Sequence, residues 1–262
     1  MALGFKKLFG GGSKNEPEPA GPCLQDDDKP TLRLPKYPEE VLERVHKLTK
    51  DQHTRDRYTA YVASLYELIV RGDTSPGNIC GLVNGISCSH KLLRDEAGEQ
   101  LLKLSHYYRE VRDELQRIME QEGEVIRLNL IKAMLKVMPP RPVAINLLFS
   151  GVQDPAERVR YFAVDRIRAC HIRELLPQLQ EQRKVEPDEK MQRFIDFNCA
   201  LMTDGFYVEE KDSGDCLVSV SLGGGGVSSA TVPADEYSAA KVQETLERLR
   251  TNWARLQGKK KD

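Results

Sequence analysis

The sequence predicts a mainly α-helical protein, in which a run of short helices is followed by a small antiparallel β meander and one further helix. Three observations predict it. From Tyr37 to about residue 202, apolar residues recur in steps of three and four, the period of a helix with one buried side. Within that run, residues 124–202 carry a unit that returns every 33 residues. After Gly205 the pattern changes to short, β-branched alternating segments, and helical spacing resumes towards the C-terminus.

The bulk properties narrow the function classes. The chain has 262 residues, 40% hydrophobic and 30% charged, with a net charge of −1. A near-neutral chain has no global field to draw in nucleic acid or an acidic membrane, so nucleic-acid binding is not expected. No apolar stretch approaches the roughly 20 residues that span a bilayer. The N-terminus lacks the apolar core of a secretory signal, so the expected location is cytoplasmic. Six scattered cysteines without paired spacing read as reduced thiols.

Residues 1–35 are read as a disordered tail, since "GGGSKNEPEPAGPCLQDDDKP" offers nothing apolar to bury. Its first nine residues, "MALGFKKLF", are amphipathic: Phe5, Leu8 and Phe9 share a face, with Lys6 and Lys7 off it. Such a segment suits a weak, peripheral contact with a membrane surface or a partner. Ala2 excludes N-myristoylation, which requires glycine at that position.

The helical array is read over 36–204. "YPEEVLERVHKLTK" starts with Pro38 and two acids, and buries Val41, Leu42, Val45 and Leu48. "TRDRYTAYVASLYELIVRG" carries Tyr58, Tyr61, Val62, Leu65, Leu68 and Ile69 and stops at Gly72. "GEQLLKLSHYYREVRDELQRIMEQEG" reads as one longer helix with a seam through Leu101, Leu104, Tyr108, Val111, Leu115 and Ile118, broken by Gly123.

In residues 124–202, the segments "EVIRLNLIKAMLKVM", "ERVRYFAVDRIRAC" and "KMQRFIDFNCALM" align with Arg127, Arg160 and Arg193 in register. Leu128, Tyr161 and Phe194 then coincide, as do Ile131, Val164 and Phe197. A shorter apolar helix lies between each pair, the mark of an α-solenoid whose units must stack to bury their faces. The stretch "DPAERVR", from Asp154 to Arg160, resembles the turn and helix start of a HEAT repeat. The resemblance covers about 80 residues, with one good match. It implies a ladder in which Asp154 and Arg160, with Arg127 and Arg193 at the equivalent positions, tie neighbouring repeats together. The preceding unit has Gln121 where the Asp should stand.

Residues 205–257 read as a meander, "FYVEE", "CLVSVSL" and "VSSATV", plus a capping or dimerisation helix with Val242, Leu246, Leu249, Trp253 and Leu256 in step; 258–262 is a basic tail. A homodimer through that helix is one expectation. Trp253 is expected to pack the helix on the meander or on the end of the array.

No motif requires catalysis. "LGGGGVSS" lacks the Lys of a phosphate-binding loop and reads as a hairpin turn. Cys80, Cys88 and His90, with His46 or His53 as a distant fourth, form a weak zinc set against ordinary buried positions. The functional expectation is a non-catalytic scaffold or adaptor, with no cofactor, whose partner is another protein. Arg158, Tyr161, Asp165 and Arg168 form its mixed aromatic and charged strip, opposite the inward stripe of Val159, Ala163, Ile167 and Cys170. The alternative is an enzyme or cofactor-handling protein with a pocket between the helices and the C-terminal strands, since fold alone does not fix function.

Overall fold

A computed structural model describes residues 30–32, 38–222 and 225–258. The amphipathic segment Phe5, Lys6, Lys7, Leu8 and Phe9 lies outside the described residues, as does the basic run at 259–261. The chain is mainly helical with one three-stranded antiparallel sheet and a C-terminal helix, as expected. It forms two compact units, divided between Ile167 and Arg168.

The first unit holds α1 (Pro38–Leu48), α2 (Gln52–Arg71), α3 (Pro76–Ile86), α4 (Lys91–Leu104), α5 (Arg109–Gln121), α6 (Glu124–Ala133), α7 (Arg141–Val152) and most of α8 (Glu157–Ala169). Local chemistry sets the ends of α2. The Asp51 carboxylate accepts the Thr54 N–H at 3.0 Å at its N-terminus, and Gly72 closes it in the left-handed region at φ 67. Helix α2 packs on α3, and α3 on α4, while α4 also meets α6 and α5 meets α7. At Gly85 a side chain would run into Tyr61 at 2.7 Å and Ala97 at 2.6 Å, so glycine is what lets α3 sit this close to its neighbours. Tyr58 and Tyr61 are fully buried, with ring centroids 5.0 Å apart, which makes them core rather than a stacking platform.

Helix α3, "PGNICGLVNGI", lies within the expected helical array; Ser75–Pro76 marks its start and Ile79, Leu82, Val83 and Ile86 are its buried side. One sequence expectation is corrected. The expected single helix over 98–122 is two. The chain leaves the helix at Ser105, whose hydroxyl donates to Leu102 O at 2.6 Å, and Tyr108 is extended at φ −121. His106 Nε2 lies 2.9 Å from Met138 O, and the Tyr108 hydroxyl donates to Leu68 O at 3.2 Å. Leu101, Leu104, Val111, Leu115 and Ile118 are nevertheless all buried. The break is about one helical turn long, so the phase survives it.

The second unit comprises α9 (Leu176–Val185), α10 (Glu189–Thr203), β1 (Phe206–Glu210), β2 (Cys216–Leu222), β3 (Gly226–Val232) and α11 (Ala239–Gly258). The strands follow in order β1-β2-β3, with Phe206 opposite Val220 and Val218 opposite Ala230. Alternation splits the sheet into two faces. On one, Cys216, Val218, Val220 and Leu222 pack against Val242, Leu246 and Leu249 of α11, with Trp253 at the margin. On the other, Tyr207 meets Phe197 of α10 edge-on at 5.2 Å. Trp253 therefore packs its helix on the meander.

Candidate functional site

The expected ladder residues come first, because they fix how the candidate face is held. Asp154 sits in the turn before α8 and is only 4% exposed. Its carboxylate accepts Arg127 Nε at 2.6 Å and Arg127 Nη2 at 2.8 Å, a two-pronged pair from α6. It also accepts the Ala156 N–H at 2.8 Å, satisfying a free amide at the start of α8. The hydrogen bond from Arg127 to the carboxylate holds that guanidinium above its ordinary pKa. Arg127 also donates to Glu122 O. Arg160 reaches the same turn differently, donating to Asp154 O at 2.9 Å and Pro155 O at 3.1 Å. Arg193 does not join them: it is exposed and lies 3.8 Å from Glu189, its neighbour one turn back on α10.

The burial pattern explains Arg193. Leu130, Ile131, Ala133 and Met134 of α6 and Ala163, Val164, Arg166 and Ile167 of α8 are all buried at a spacing of 33. Between α8 and α10 the matching spacing is 32, since Val159, Ala163 and Arg166 are matched by Met191, Ile195 and Asn198. The shift by one residue turns Arg193 outward. Within α8, Val159, Ala163 and Ile167 are buried as expected, whereas Cys170 beyond the helix end is half-buried.

Of the proposed partner strip, Arg158 and Tyr161 are exposed and Asp165 is half-buried. Arg168 is the exception and corrects the expectation. It is 8% exposed, its Nε donates to Asn198 Oδ1 at 2.8 Å, and its Nη1 donates to Gly225 O at 2.6 Å. Asn198 is itself fully buried and donates to Phe194 O at 2.7 Å. Arg168 therefore ties the β2–β3 turn to α10. The glycine run has a packing reason here. Gly225 has φ +74, and a Cβ on it would stand 2.4 Å from Ala169 O.

Around the exposed part of α8, further side chains converge that were not singled out in the sequence. Lys132 of α6 places its ammonium 4.4 Å from the centre of the Phe162 ring, and the Arg166 guanidinium lies 5.9 Å from the same ring. The Tyr161 ring meets Phe162 edge-on at 5.7 Å. Arg166 pairs with Asp165 at 2.6 Å. Burial, then the positive charges of Arg158 and Arg94, push the Lys132 ammonium below its ordinary pKa. The signal in the sequence was weak. Lys132 and Phe162 are 30 residues apart in the sequence, and the fold brings them together.

Comparison with family models, curated proteins and solved structures finds no match. Cys80 is exposed, while Cys88 is buried against Thr54 O and Asn84 O, and burial pushes the Cys88 thiol up to about 11. Among the described residues, no group of three or more His, Cys, Asp or Glu could hold a metal ion. No helix among them is long and apolar enough to cross a membrane.

Proposed function

We propose that this chain is a non-catalytic scaffold whose HEAT-like helical pairs present the exposed side of α8 to another protein. The observation that carries this reading is the Tyr161 ring, 44% exposed and held edge-on to Phe162, beside the exposed Arg158. A fixed aromatic next to a long cation supplies contact area and charge at small entropic cost, which is why Tyr and Arg dominate binding hot spots. The Asp154–Arg127 pair supports the repeat reading, since it joins the turn before α8 to the helix one repeat earlier. Residues 1–9 would add a second, weak contact to a membrane surface or to the same partner, and two weak contacts on one chain reinforce each other. The expected setting is the cytoplasm.

Affinity capture from the native cell tests it, using the full chain and its Tyr161→Ala and Arg158→Glu variants. A stoichiometric partner should be recovered by the wild type and reduced about tenfold by either substitution, at an unchanged melting temperature. The same partner recovered equally by all three would remove α8 as the binding face.

A further inference from the structure

We propose that the cationic cluster that Lys132 and Arg158 form beside the Phe162 ring takes an extended acidic segment of a partner protein. This rests on the scaffold reading and adds the chemistry of the partner. Two helices distant in sequence build the cluster. Lys132 comes from α6 and is pinned over Phe162, and Arg158 stands one turn before Phe162 on α8. Among the described residues, neither Lys132 nor Arg158 has a salt-bridging carboxylate. Asp95, whose charge acts on Lys132, is already shared with Lys91 at 3.2 Å and Arg94 at 4.0 Å.

Burial, and then repulsion by the positive charges of Arg158 and Arg94, lowers the proton affinity of Lys132. An incoming carboxylate relieves that repulsion where the surface is partly dry, so the interaction is stronger than on an open surface. Pinning Lys132 to the ring also reduces the side-chain entropy lost on binding.

The surroundings favour an acidic peptide over a nucleic acid. Tyr161, 44% exposed, and Leu135, 60% exposed in the turn after α6, offer apolar contacts that suit side chains between the carboxylates.

Fluorescence anisotropy on the full chain, with a labelled peptide of alternating glutamate and leucine and its glutamine twin, tests the proposal. The acidic peptide should bind, with affinity falling as salt rises, and the twin should not. Lys132→Gln and Arg158→Glu should each weaken binding about tenfold, while Lys50→Glu, an exposed residue outside the cluster, should not. Equal binding of the two peptides, or unchanged affinity in both variants, would overturn it. So would duplex DNA that displaces the peptide and loses affinity in the same variants, since the cluster would then serve a nucleic acid. A partner whose capture falls with Tyr161→Ala and Arg158→Glu, yet is unchanged by Lys132→Gln, would leave the scaffold reading standing and sink this one.

Discussion

Arg127 in the helical unit and Arg193 in the C-terminal unit occupy the same place in the sequence repeat and have opposite fates. Arg127 is largely buried against Asp154 in a two-pronged pair, while Arg193 is exposed with a loose contact to Glu189. The helices that carry them differ in what covers them. Helix α6 packs against other helices only, whereas α10 packs against α9 and also against β1 and β2. A repeat in sequence therefore predicts a repeat in contacts only while the same kind of neighbour recurs.

The strongest way to break that comparison is Asp154→Ala. It leaves the Arg127 guanidinium without its carboxylate and removes the bond to the Ala156 amide. The expected loss is about 3–5 kcal/mol by urea unfolding, the usual effect of halving a buried pair. A loss below about 1 kcal/mol would show the pair to be incidental.

The C-terminal unit has its own tie, and Gly225→Ala probes it. The added methyl meets Ala169 O, and the residue must also hold a left-handed backbone. We expect destabilisation of about 1–3 kcal/mol, seen as a lower melting temperature. An unchanged melt would mean that the β2–β3 turn does not bear on the end of α8.

Arg193→Ala sharpens the contrast from the other side. An exposed i,i+4 contact is worth little, so the change in stability should stay within about 0.5 kcal/mol. A cost similar to that of Arg127→Ala would restore Arg193 to the ladder.

Thiol reactivity reports the same difference between covered and open surface. Burial pushes Cys88 and Cys199 up to about 11, so both are neutral thiols at pH 8, whereas Cys80 is exposed. Mass-spectrometric mapping of alkylation should find Cys80 modified first among these three. Faster labelling of Cys88 would contradict its burial.

How much of this was legible in the sequence varies with the kind of signal. The strands were read almost to the residue, because alternation is local and the turns between them are marked by Gly and Asp. Helix α3 is faint in the sequence because Gly77, Gly81 and Gly85 interrupt its apolar steps and are poor helix formers. The break at Ser105 carries no Gly or Pro and preserves the helical phase, so periodicity could not reveal it. Arg158, Tyr161, Asp165 and Arg168 do share one side of the helical wheel. What the wheel lacks is how far along the axis that side is covered, and Arg168 is covered by Asn198 and the Gly225 turn. The gathering of Lys132 and Phe162 was out of reach for the same reason: the fold, not local sequence, brings them together.

The most direct test of a binding face on α8 is hydroxyl-radical footprinting of Tyr161, in the free protein and in complex with its captured partner. The ring should be oxidised readily when free, given its exposure, and protected in the complex. Equal oxidation of Tyr161 in both states, with protection elsewhere on the chain, would place the partner on another surface and contradict the account.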